Sequence, residues 1–116
     1  MSSTQQFAIT ITASPQHSDQ ASRALRFAQT IHASHYQLRQ IFFYGDGVFC
    51  AQPNSISARA WETVAKQTHC ALYVCVSAAE RRGVKSLDPP WQLVGLGDWI
   101  SGMQLEHHLH FGDAND

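Results

Sequence analysis

Hydrophobic and polar positions along this chain switch repeatedly between a period of two and a period near 3.6, and the switches mark out its elements. Phe7 to Ala13 alternates apolar residues with threonine, as a β-branched strand does. Ser14-Pro15-Gln16-His17 interrupts that strand as a βα loop, and Ser18 stands where a helix cap belongs. Ala21, Ala24, Leu25, Ala28 and Ile31 then follow helical spacing, with Arg23 and Arg26 off the stripe, so this helix buries one side and solvates the other. His32, Ser34 and His35 close it. Leu38 to Tyr44 reads as a second strand, and Gly45-Asp46-Gly47 ends it in a turn. A helix between two strands predicts a right-handed βαβ unit.

The alternation continues in the second half. Val48, Phe49 and Cys50 lead into a loop through Pro53, Asn54 and Ser55, after which Trp61, Val64, Ala65 and Thr68 share one face of a helix from about Ser57 to Gln67. Ala71 to Val76 is apolar or aromatic without interruption, the pattern of a strand covered on both faces. Ser77 with Glu80 three residues on is a capping-box pattern, which starts a helix at Ser77, and Gly83 is placed to end it. Leu87-Asp88-Pro89-Pro90 excludes regular helix. Trp91 to Val94 reads as a short strand, Gly95 to Gln104 as a helix and Glu106 to Phe111 as a last strand. The order predicts an α/β fold, a three-layer α/β/α sandwich on a mostly parallel sheet of about five strands. One domain covers residues 1–116, with residues 1–6 and 112–116 as loose ends.

Charge and composition narrow the function classes. A formal net charge of −1 and the lack of a basic run argue against a nucleic-acid binder. No apolar stretch approaches the roughly 20 residues of a membrane span, and Met1 to Gln6 lacks a secretory signal, which predicts a cytoplasmic protein. Three cysteines without paired spacing fit a reducing compartment better than a disulfide framework. Cys70 and Cys75 are separated by strand, too far apart to share one zinc or a disulfide. His108 and His110 fall on one side of an extended strand and His107 on the other, but two imidazoles without a third ligand make a poor metal site, so no metal is expected. Among Trp61, Trp91 and Trp99, one or two cap the core, while an exposed one would mark a subunit interface.

The candidate chemistry centres on Cys75. It falls at the carboxyl end of a buried strand, just before a helix start, and open α/β sheets bind ligands at that edge. A helix N-terminus favours the thiolate, the nucleophilic form, provided the sulfur is accessible. Arg81 and Arg82 would then lie in the first two turns, where the helix dipole disfavours cations, which points to an anion met there. A buried structural thiol with both arginines facing water is the alternative from these residues alone. Tyr44, at the end of the second strand, reaches the same edge if the two strands are parallel neighbours; a packed ring with a wet hydroxyl is the plainer reading.

Cys75-Val76-Ser77-Ala78-Ala79 with Arg81-Arg82-Gly83-Val84 resembles the active-site segment of the DsrE/TusD family of sulfur-relay subunits. Phe7 to Thr12, Gln20 to Gln29, Phe42 to Val48 and Gly95-Leu96-Gly97 are similar, in order, to that family's first strand, first helix, second strand with its turn, and a C-terminal Gly-Leu-Gly. The resemblance implies a persulfide on Cys75; Arg81, Arg82 and the helix start at Ser77 would stabilise the anionic sulfur, and thiol exchange of this kind needs no metal or organic cofactor. The resemblance further implies sister subunits in a hetero-hexamer of the DsrEFH/TusBCD kind, a TusA-like sulfur donor and a DsrC/TusE-like acceptor, serving tRNA 2-thiouridine formation or sulfur oxidation. The loop after Val48 and the link from Val84 to Gly95 are shorter than the family pattern, and Glu80 replaces a neutral residue; a carboxylate there opposes the thiolate. A sulfurtransferase is therefore the expected activity. The alternative is a non-catalytic oligomeric binding or assembly protein on the same scaffold.

Overall fold

The computed structural model describes residues 6–16, 19–34, 36–95, 97 and 107–112. Five strands, β1 (Gln6–Ile11), β2 (Gln37–Phe43), β3 (Ala71–Cys75), β4 (Trp91–Val94) and β5 (His107–Phe111), form one sheet in the order β4-β3-β2-β1-β5. Every pairing is parallel. Among the described residues, α1 (Gln20–His32), α2 (Ile56–Thr68) and α3 (Val76–Arg81) connect successive strands from β1 to β4, and a 3-10 helix runs from Gly45 to Ala51 between β2 and α2. The expected α/β class and mostly parallel sheet are thus found. Except for Gly95 and Gly97, the expected helix at Gly95–Gln104, with Trp99 within it, lies outside the described residues, as do the cap at Ser18 and most of both loose ends.

Strand register sorts side chains into two faces. Ile9 pairs with Ile41 and Leu109, Phe43 with Val74, and Leu72 with Trp91, so these residues share one face. α1 and α2 pack there. Ala24, Ala28 and Ile31 of α1 are buried, Phe27 meets Phe111 with ring centres 5.8 Å apart, and Trp61 of α2 meets Phe43 edge-on at 5.4 Å. Trp91 packs on Phe43 at 5.2 Å while its Nε1 donates to Glu62 at 2.8 Å. Trp61 and Trp91 are therefore core residues, and each buried aromatic of this size contributes roughly 1.5–3 kcal/mol. The opposite face carries Ala8, Thr10, Gln40, Phe42, Tyr73, Cys75 and His110, the more polar set that alternation demands.

Helix ends follow local chemistry. The Ser55 hydroxyl accepts from Ala58 N–H at 3.1 Å and starts α2 one residue ahead of the expected Ser57. Asp19 occupies the cap position of α1 without a side-chain cap bond and pairs instead with Arg23 at 3.3 Å. Gly83 does end α3: with φ +70° it lets Val84 N–H reach Ala79 C=O at 3.0 Å and its own N–H reach Glu80 C=O at 3.3 Å, a Schellman closure.

Between β2 and α2 the structure departs from the expected turn and loop. The segment is helical and Gly47, Val48, Cys50 and Ala51 are buried in it. Gly47 is required there, because a Cβ at that position would stand 2.0 Å from the Ile11 carbonyl oxygen. Cys50 is accordingly a core residue. Burial pushes its thiol from 9.0 up to about 12, against a smaller opposing pull from a Ser57 hydrogen bond, and burial raises Cys70 as well.

Gly47→Ala is expected to lower the unfolding free energy by about 1–3 kcal/mol, the usual cost of overpacking, measured from urea transitions. A second expectation concerns pH. Cys50 ionises near 9 in the unfolded chain but near 12 in the folded one, so its contribution is intact below pH 9 and is lost as pH rises from 9 towards 12. That loss amounts to at most about 1.4 kcal/mol per pH unit for one thiol. Cys50→Ala should flatten the decline in urea titrations across this range.

Candidate active site

β3 lies inside the sheet, between β2 and β4, and ends at Cys75. The chain is still extended there (φ −64°, ψ 120°) and turns helical at Val76, so Cys75 itself occupies the cap position of α3. This places the thiol at the carboxyl edge of an inner parallel strand, on the face away from α1 and α2. Ser77 is consequently the second residue of α3 and not its cap. A capping box needs extended backbone at the serine; here the hydroxyl turns back and Ser77 Oγ sits 3.4 Å from Cys75 Sγ, sharing a hydrogen bond with it. Cys75 bonds α3 through this contact with the Ser77 hydroxyl; the backbone N–H groups of the first turn make no cap hydrogen bond to the sulfur. It is also closed off, at 1% exposure, where an accessible sulfur was expected.

The arginines differ from expectation too. α3 is only six residues long, so Arg81 is its last residue and Arg82 its C-cap. Cations are favoured at that end of a helix, and no external anion is needed to explain them. Arg82 donates from a terminal guanidinium nitrogen to Ala78 C=O at 3.2 Å and from Nε to Asp46 Oδ1 at 2.8 Å. Arg81 and Glu80 are exposed. Of the residues expected to stabilise sulfur, then, Ser77 touches it, while Arg82 ties α3 to the 3-10 helix.

Tyr44 does reach the same edge. Phe43 and Val74 are the last rung of β2 with β3, so Tyr44 leaves β2 at the edge where Cys75 ends β3, and its ring stacks on Phe42 at 6.0 Å and 19° with 40% of the residue exposed. His108 and His110 share a face as expected, but their Nε2 atoms bond the hydroxyls of Thr10 and Thr12. Among the described residues, no group of three His, Cys, Asp or Glu side chains could hold a metal. A hollow of about 650 Å³ opens elsewhere, between Leu25 of α1, Phe49 and the start of α2 at Ile56; Cys75 does not line it.

Asp46 is the site residue that pattern reading left in a turn. The signal was an acid between two glycines at the carboxyl end of one strand, facing an arginine after the next. Local spacing does not show it, because Asp46 and Arg82 are 36 residues apart.

The model of the DsrE/DsrF-like family matches residues 5–114. A "sulfurtransferase TusD homolog" of Pseudomonas aeruginosa is 35% identical over 115 residues, covering 82% of this chain and 88% of that protein. "Sulfurtransferase TusD" of Cronobacter sakazakii is 34% identical over 111 residues, covering 78% and 87%. Among solved structures, the ychN protein of E. coli superposes with a TM-score of 0.77 at 16% identity, over 92% of this chain and 99% of that one. MTH1491, a protein of unknown function from Methanobacterium thermoautotrophicum, gives 0.76 at 12% identity, over 91% and 98%. These two share the fold. With the family model spanning nearly the whole chain and relatives a third identical over most of it, this protein belongs to the DsrE/DsrF-like family.

Proposed function

We propose that this protein is a sulfurtransferase subunit of a cytoplasmic sulfur relay, with Cys75 as the atom that carries the sulfur. The observation that carries the reading is the placement of Cys75, at the end of an inner parallel strand with the Ser77 hydroxyl 3.4 Å from its sulfur, in a chain whose relatives are named sulfurtransferases.

The chemistry needs one thiol and no cofactor. The Cys75 thiolate attacks the outer sulfur of a donor persulfide; the new S–S bond forms as the donor's S–S bond breaks, and the donor leaves as a thiolate. An acceptor thiolate then attacks the same outer sulfur and Cys75 departs as the thiolate it began as. Two S–S exchanges leave the total oxidation state unchanged. Ser77 Oγ is near enough to donate to the anionic sulfur. Donor and acceptor are small thiol-bearing proteins of the TusA and DsrC/TusE kinds, and sister subunits complete the assembly. The pathway is either tRNA thiolation or sulfur oxidation.

The near-complete burial of Cys75 favours a second reading, an assembly protein on this scaffold with an inert thiol. The readings separate on incubation with a sulfane donor, alone and with sister subunits, followed by peptide mass spectrometry. A gain of about 32 Da on Cys75, one sulfur on a reactive thiol, is expected. It should vanish in Cys75→Ser and persist in Cys50→Ala and Cys70→Ser. Equal loading of Cys75→Ser and the parent chain, or no loading under either condition, overturns the sulfur-carrier reading.

A further inference from the structure

The geometry points to Asp46 and Arg82 as a clasp that holds α3 over Cys75 and sets how often its sulfur meets solvent or a partner. The inference takes its purpose from the reading of Cys75 as sulfur carrier.

Three observations lead to it. Cys75 is enclosed, yet it begins a helix of only six residues, too short to persist without tertiary support. The 3-10 helix opposite is firmly seated: Gly47 lies against the Ile11 carbonyl, Tyr44 N–H bonds that carbonyl at 2.9 Å, and Val48, Cys50 and Ala51 are buried. Between the fixed and the short element runs one ion pair, Arg82 Nε to Asp46 Oδ1 at 2.8 Å, with the same guanidinium also holding Ala78 C=O. The member that moves is therefore α3. Ala78, Ala79 and Val84 add apolar contacts to the core beside that pair.

The exposure of the pair decides its character. Asp46 is 56% and Arg82 28% exposed in their side chains, so the pair is solvated, weak and sensitive to salt. It closes the site without locking it. A partner that presents a carboxylate to Arg82 or a cation to Asp46 would exchange with the clasp at no net loss of ion pairs, coupling its arrival to the release of α3. Both residues are positioning residues, acting on Cys75 through the helix it begins.

The test is the rate of Cys75 alkylation by iodoacetamide, resolved by peptide mass spectrometry. Asp46→Asn and Arg82→Gln should each raise it about two- to fivefold, the range a solvated ion pair commands. The reversed pair Asp46→Arg with Arg82→Asp should return it towards the parent rate, and about 1 M salt should speed the parent chain more than either single variant. Cys50 and Cys70 should stay unlabelled throughout. The clasp is overturned if Arg82→Gln slows the reaction while Asp46→Asn speeds it, because Arg82 would then act on the thiolate itself. Unchanged rates overturn it too, as does equal gain of label on Cys50 and Cys70, which means a loosened core. Sulfane loading on the same proteins keeps the two ideas apart. Rates that shift as expected in a chain that never loads sulfur uphold the clasp and sink the carrier; loading with unchanged rates does the reverse.

Discussion

Parallel pairing of β2 with β3 is the constraint on which the site depends. It fixes Phe43 beside Val74, which puts both on the face packed by α1 and α2 and sends Tyr44 and Cys75 to the other. A slip of one residue would exchange these sets, burying the thiol under Trp61 and turning Val74 outward. The aromatic cluster of Phe43, Trp61 and Trp91 packs on one face and opposes that slip.

Much of this was legible in the sequence. An uninterrupted apolar run located β3, alternation with threonine located β1, and helical spacing of alanines in α1 and of Trp61, Val64 and Ala65 in α2 located the packed faces, because a single period decides such elements. The short elements at the carboxyl edge were not legible in the same way. Val48, Phe49 and Cys50 carry no period long enough to separate a 3-10 helix from a loop, and Ser77-Ala78-Ala79-Glu80 satisfies a capping pattern that the backbone forestalls by turning one residue earlier. Arg81 and Arg82 fall at the C-terminal end of α3 for the same reason. Their electrostatic role depends on the length of α3, which is set by Gly83 and by the packing of Val84.

The three cysteines show how environment divides one side chain into different roles. Cys50 is surrounded by core and held in its neutral form by desolvation, and Cys70 tends the same way just before β3. Cys75 is as enclosed as Cys50, but it ends a strand and has a hydroxyl against its sulfur. Burial alone does not distinguish them; position relative to the sheet edge does.

β5 has a consequence for the making of the molecule. It lies beside β1 although Thr10 and His108, bonded across the two strands, are 98 residues apart in the chain. During synthesis β1 can recruit β2 early, yet its other edge stays bare until nearly a hundred further residues have emerged. Such an edge invites pairing with a foreign strand. Thr10 on that strand and Thr12 just beyond it offer hydroxyls to the two histidines that eventually cover it. That edge is covered only when the β5 ladder forms, at the end of the chain.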